Sequence, residues 1–220
     1  MKSIPNILTL ANAALGCCAL FFIAILDFNS ATFCVLLAAA FDFFDGFIAR
    51  IMGWTSRFGA ELDSLADVIS FGVVPGALAT MMLTTIQVES PWIFLGFIIT
   101  LASAYRLAKY NTSTNNKAYF RGLPTTANAL LWIGVPHLEL DLNFSFIVGG
   151  IITTSYLLNS SLVFYRLQLK NSASSVVLVS LIILSLIILW IRFGYGSWSL
   201  VIGVYIVISV LHRFAAKSKG

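Results

Sequence analysis

Charge is scarce in this 220-residue chain: 13 basic and 9 acidic residues make up 10% of it, where an ordinary soluble domain carries about 25%. With 59% of residues apolar and a mean hydropathy of +0.94, the chain cannot cover a water-facing surface. A soluble globular enzyme, a disordered tail and a nucleic-acid binder built on one basic face are excluded, the net charge being only +4. Three cysteines (Cys17, Cys18, Cys34) sit in apolar stretches without CxxC spacing, and His137 and His212 stand far apart. That argues against a thiolate metal site or a disulfide framework. Polar linkers are short, at about a dozen residues at most, so 1–220 reads as a single integral membrane domain.

Apolar helix is what remains. A spanning helix needs about 20 mostly apolar residues. Eight stretches fit, at roughly 7–27, 31–52, 60–85, 91–110, 123–138, 144–164, 174–192 and 197–213, the fifth short and opening at Pro124. The fold class is therefore an all-α polytopic transmembrane bundle of about eight spans. With the N-terminus inside, Lys2, Arg50, Arg57, Arg106, Lys109, Lys117, Arg121, Arg166, Lys170, Arg213, Lys217 and Lys219 fall on the cytoplasmic side and only Arg192 outside. The positive-inside rule then puts both termini in the cytoplasm. Lys2 alone is a thin n-region, so the first apolar run reads as an uncleaved span rather than a signal peptide.

The acids are not spread evenly. Asp27, Glu89, Glu139 and Asp141 fall in predicted outer loops, whereas Asp42, Asp45, Glu61, Asp63 and Asp67 crowd the second and third helices, and none follows Asp141. A carboxylate held in a spanning helix costs about 2.5–3.5 kcal/mol, so four cost on the order of 10 kcal/mol and demand neutralisation. Asp42 and Asp45 are spaced i,i+3 and Asp63 and Asp67 i,i+4, so each pair shares a helix face. The polar turn Gly53-Trp54-Thr55-Ser56 folds the two helices into a hairpin. Both pairs then lie roughly 12–15 Å from the turn and converge. Arg50 and Arg57 leave a surplus of negative charge, which Mg2+ or Mn2+ with oxygen ligands, as two ions, would offset. A proton- or cation-conducting acid cluster of a transporter stays open on the carboxylates alone. Gly46 would let a ligand approach the backbone, Arg50 one turn on suits a phosphate, and Gly59 stands four residues before Asp63.

The string Asp42-x2-Asp45-Gly46-x2-Ala49-Arg50-x8-Gly59-x3-Asp63-x3-Asp67 resembles the signature of the CDP-alcohol phosphotransferase family, with each of its fixed positions filled. The resemblance implies a membrane-embedded, usually dimeric enzyme that moves a phosphatidyl or similar group from a CDP-linked donor to an alcohol. It implies that Asp42, Asp45 and Asp63 bind metal and that Asp67 both ligates metal and serves as general base. Gly46, Ala49, Arg50 and Gly59 would line the CDP part of the donor.

The run Asp63-Ser64-Leu65-Ala66-Asp67-Val68-Ile69-Ser70-Phe71-Gly72-Val73-Val74-Pro75 resembles the serine-using branch of the family, with Val74 where that branch usually has alanine. Glycerophosphate-using members usually carry a lysine after the last aspartate; Val68 stands here. Further resemblance covers Ile4-Pro5-Asn6 through Asn12, Arg106 through Asn111 (Lys109-Tyr110 replacing the usual Arg-Phe) and Phe120 through Pro124. The implied reaction takes CDP-diacylglycerol and L-serine to phosphatidylserine and CMP. The implied setting is a homodimer in the cytoplasmic (inner) membrane, in contact with lipid, its site facing the cytoplasm. Glycerophosphate, inositol phosphate or an archaeal ether-lipid donor are the alternatives within the family. A serine carboxylate needs a cation, for which Arg106 and then Arg121 are the candidates. Asn6, Thr9 and Asn12 recur every third residue on the first helix and fit either interhelical hydrogen bonding or the site. The hairpin 31–85 is the catalytic part; the helices over 144–213 carry no motif and read as accessory.

Overall fold

The structure is a computed structural model describing residues 4–89, 91–112, 122–138, 140–162 and 190–217, with side chains described as far as Val210. Arg121, Glu139, Lys117, Arg166, Lys170 and the predicted seventh span apart from Trp190–Arg192 lie outside the described residues.

Helix α1 (Ile4–Ala24) has no charged residue. In lipid its backbone must satisfy itself, which a helix does. Its buried residues Pro5, Thr9, Asn12, Gly16, Ala19 and Ile23 alternate in steps of four and three, a single stripe. Two of them are polar and one is glycine, so the stripe faces protein. It packs along α2 (Phe28–Ile51), which Asp27 caps by accepting from Ser30 N at 3.1 Å. After Ile51 the chain reverses at Gly53, whose φ of +62° only glycine adopts without strain. Ser56 then caps α3 (Arg57–Asp67), accepting from Gly59 N at 3.0 Å. The predicted hairpin is thus formed, with the predicted turn.

Beyond Asp67 the helix widens into a π-helical stretch, Val68–Val73, before continuing as α4 (Val74–Thr85). Pro75 supplies the cause: it has no N–H to donate, and its ring crowds the carbonyl four residues back. An extra residue per turn relieves that crowding. The three segments run on as one 29-residue apolar span, Arg57–Thr85, the most enclosed in the described bundle. Helix α5 (Phe97–Thr112) follows a 3-10 turn, Trp92–Gly96, and packs against α4 through small residues. A Cβ on Gly76 would strike Thr100 Oγ1, and one on Gly96 would lie 2.5 Å from Thr80 N. Close backbone approach between small residues is a usual way for helices to associate in lipid.

Helix α6 (Thr125–Gly134) and its 3-10 extension Val135–His137 cover the predicted fifth span. Ten α-helical residues rise about 15 Å, half the ~30 Å hydrocarbon core. The segment is short but buried by protein, with Asn128, Ala129, Trp132 and Ile133 nearly inaccessible. Helix α7 (Phe144–Asn159) and, after the 3-10 turn Gly194–Gly196, α8 (Ser197–Lys217) complete the described elements. Among the described residues there are no strands, and five helices are long and apolar enough to cross a membrane. These are Ile4–Ala24, Phe28–Ile51, Arg57–Thr85, Trp92–Thr112 and Trp190–Val210, with Phe144–Asn159 a shorter apolar helix. The protein is an all-helical integral membrane protein.

Candidate active site

The hairpin brings its acids together. One carboxylate oxygen from each of Asp42, Asp63 and Asp67 lies within 4.8 Å of the others. Asp42 comes from α2 and the other two from α3, so the convergence is between the arms of the hairpin. Asp63 Oδ1 and Asp67 Oδ1 are buried and have no hydrogen-bond partner among the described residues. Buried anionic oxygens left open in lipid are costly, and an all-carboxylate oxygen set is what Mg2+ or Mn2+ prefers. The residues fit a divalent cation.

Asp45 is placed differently. It is buried, and its Oδ2 accepts a short hydrogen bond from the Thr9 hydroxyl of α1. An i,i+3 pair sits about 60° apart around a helix at 100° per residue, enough to turn Asp45 toward α1 while Asp42 faces α3. The expected four-way convergence is a three-way one, with Asp45 close by and tethered.

Beside the acids opens a cavity of about 380 Å³. Asp45, Asp63 and all four residues expected to hold the donor (Gly46, Ala49, Arg50, Gly59) line it. Two glycines matter for different reasons. A Cβ on Gly59 would sit 3.2 Å from Asn6 Oδ1 and 3.1 Å from Ser56 Oγ, so α1 and the turn close tightly on α3 there. A Cβ on Gly46 would sit 3.3 Å from a guanidinium nitrogen of Arg50. The space at Gly46 is therefore used by the Arg50 side chain folded back along its own helix, rather than left open to a ligand.

Arg106 is half-buried on α5, near enough to Asp67 for their charges to interact, and its Nε has no hydrogen-bond partner among the described residues. Its helix is fastened to the hairpin at the rim: Ser64 Oγ donates to Asn111 Oδ1 and Asn111 Nδ2 to Glu61 Oε2, both at 3.1 Å. Phe43, Phe44 and Phe47 are exposed on the outer side of α2, away from the acids, as membrane packing predicts. The three-residue recurrence of Asn6, Thr9 and Asn12 pointed to Thr9, which bonds Asp45 across helices; the Ser64–Asn111–Glu61 chain escapes sequence reasoning.

A family model described as CDP-alcohol phosphatidyltransferase matches residues 2–208. The chain belongs to this family. Curated relatives include a CDP-diacylglycerol–serine O-phosphatidyltransferase of Helicobacter pylori (strain J99), 33% identical over 148 residues, which are 66% of this chain and 61% of the relative. One of the same name from Saccharomyces cerevisiae is 38% identical over 116 residues, 49% of this chain and 41% of the relative. An archaetidylserine synthase of Methanothermobacter thermautotrophicus is 34% identical over 130 residues, 58% and 55%. The matches span about two fifths to three fifths of these relatives' length.

Proposed function

We propose that the chain is a CDP-diacylglycerol–serine O-phosphatidyltransferase, converting CDP-diacylglycerol and L-serine to phosphatidylserine and CMP. The observation that carries this reading is the meeting of Asp42, Asp63 and Asp67 at the edge of a cavity lined by the donor-binding part of the family signature. The shared name of several relatives supports serine as acceptor. Family membership speaks against the transporter reading.

In this mechanism Asp42, Asp63 and Asp67, with Asp45 beside them, would hold two Mg2+ or Mn2+ ions, which would supply positive charge to offset the donor diphosphate and the charge growing on departing CMP. Gly46, Ala49, Arg50 and Gly59 hold the CDP portion. Asp67 accepts the proton of the serine hydroxyl as its oxygen attacks the phosphatidyl phosphorus; the O–P bond forms, the P–O bond to CMP breaks, and CMP leaves with the electron pair. An ordinary carboxylate is a weak base for an alcohol, so proton transfer accompanies attack. Arg106 takes the serine carboxylate, with Arg121 as the second candidate.

The same reading places eight crossings in the cytoplasmic membrane, both termini and the site facing the cytoplasm, and a homodimer as the working form. Residues 1–220 form one domain in which the hairpin 31–85 is catalytic and the helices over 144–213 are accessory. A second donor fits as well, because the archaetidylserine synthase relative bears a name pointing to an ether lipid.

The test uses purified protein in mixed micelles with CDP-diacylglycerol and a divalent ion. CMP release with incorporation of labelled serine is the expected result, with none for glycerol 3-phosphate or inositol phosphate. Release with one of those acceptors and not with serine overturns the acceptor, and no release with any of them overturns the enzyme.

A further inference from the structure

Asp67 does not line the donor cavity, although Asp45 and Asp63 do. Its surroundings are set by the π turn that follows it, on which α1, α5 and α6 all pack. Each of these helices brings a polar side chain with 0% exposure to this level: Asn12, Ser103 and Asn128. The Asn12 side chain is engaged with Asp67, whereas Ser103 Oγ and both amide atoms of Asn128 have no hydrogen-bond partner among the described residues.

Several contacts fix the register. Ser70 Oγ donates to the Asn12 carbonyl at 2.9 Å, and a Cβ on Gly72 would lie 3.2 Å from Ser103 Cβ. Arg106 follows Ser103 by three residues, on the same side of α5. The Thr32 hydroxyl donates to the Ile133 carbonyl at 3.2 Å. Asn128 precedes Ile133 by five residues, so it sits about 7.5 Å deeper than that contact, toward the acids. Buried polar side chains thus stand on all three helices that pack on the π turn following Asp67.

Its chemistry is particular. Unmatched amides and hydroxyls at membrane depth are expensive, and leucine would fill the same space more cheaply. Carboxamide and hydroxyl oxygens are neutral acceptors. Together with Asp67 they suit a cation carrying several N–H donors. Arg106 is the one basic side chain described at this level, too little positive charge for a phosphomonoester acceptor but enough for a single carboxylate.

We propose that Ser103 and Asn128 receive the ammonium group of a zwitterionic amino-alcohol acceptor, while Arg106 receives its carboxylate, so that the acceptor hydroxyl is presented to Asp67. This rests on the serine-transferase reading and adds the residues that distinguish serine from uncharged or phosphorylated alcohols.

The test compares the full-length enzyme with Asn128→Ala and Ser103→Ala, using two serine fragments as competitive inhibitors. Ethanolamine keeps the ammonium, and 3-hydroxypropionate keeps the carboxylate. For Asn128→Ala the expected result is a KM for serine raised by about tenfold, the loss of a hydrogen bond to a charged group. The inhibition constant of ethanolamine rises in parallel, while that of 3-hydroxypropionate and the KM for CDP-diacylglycerol hold within twofold. Ser103→Ala removes a single atom and gives the same split at smaller size, which guards against a misfolded Asn128 variant. Equal weakening of both fragments, or an unchanged serine KM in both variants, overturns the assignment. A wild-type enzyme that releases no CMP with serine overturns the serine reading as well.

Discussion

The α2–α3 hairpin and the C-terminal helices α7 and α8 are all apolar helices of one bundle, yet they treat buried polar atoms in opposite ways. In α7, Thr154 donates to the Gly150 carbonyl at 2.9 Å and accepts from Trp132 Nε1 at 3.2 Å. At the start of α8, Ser197 donates to the Gly194 carbonyl at 2.8 Å, and Ser199 donates to the Leu131 carbonyl. Ser155, Asn159 and Trp198 each leave one neutral atom without a partner. Around the hairpin the open atoms include anionic ones, Asp63 Oδ1 and Asp67 Oδ1, with Arg106 Nε across from them. A polar group closed on backbone is there to fasten helices; a charged group left open in lipid is there for something that arrives.

Exhaustive chelation tests the contrast most severely. Activity is expected to fall to background and to return with Mn2+ or Mg2+, as followed by CMP release; full activity after chelation removes the reason for the open acids. Next comes Asp67→Asn, which keeps shape and removes the base, and is expected to lower kcat by roughly 10²–10⁴-fold with donor binding retained. Unchanged CMP release by that variant assigns the proton transfer elsewhere.

A smaller effect is expected from Gly16→Leu, where α1 meets the π turn. A Cβ at Gly16 would lie 2.5 Å from Ser70 Oγ and 3.0 Å from Ser70 Cα. Overpacking of this kind costs about 1–3 kcal/mol, read as a lower midpoint of thermal unfolding in detergent. The smallest effect belongs to α8, where Val204 and Val207 are 58% and 56% exposed. Alanine at both is expected to shift stability by no more than about 0.5 kcal/mol per site and to leave turnover alone. A marked loss of activity there erases the distinction between working and accessory helices.

Much of the hairpin is legible in the sequence, because its acids stand out against an uncharged background and its spacing obeys helical periodicity. The turn was marked by the polar run Gly53-Trp54-Thr55-Ser56. Asp45 shows where periodicity stops: the wheel puts it near Asp42, but whether a side chain 60° away joins its neighbour or finds another partner is decided by Thr9, on a different helix. Arg106 stands out in the sequence as the first candidate cation for an acceptor carboxylate, and the packing of α5 on the π turn is what brings it near Asp67. The fifth apolar stretch reads as a span on hydropathy, but Pro124 and Pro136 bracket it and leave room for little more than three helical turns. Asn128 had no signal at all beyond a polar letter in an apolar run, since hydropathy cannot tell a buried amide from a tolerated one.

The widened stretch Val68–Val73 has a consequence for how this chain can change in length. The wider stretch takes up one residue more than an α-helix would over nearly the same rotation. Excising one residue from it would therefore return the helix to ordinary pitch with Asp63 and Asp67 still facing the hairpin and Leu78 and Leu83 still in the interior, at the cost of the crowding around Pro75. The same excision in the α-helical turns on either side would swivel one half against the other by about 100° and turn the acids or the leucines out toward the acyl chains.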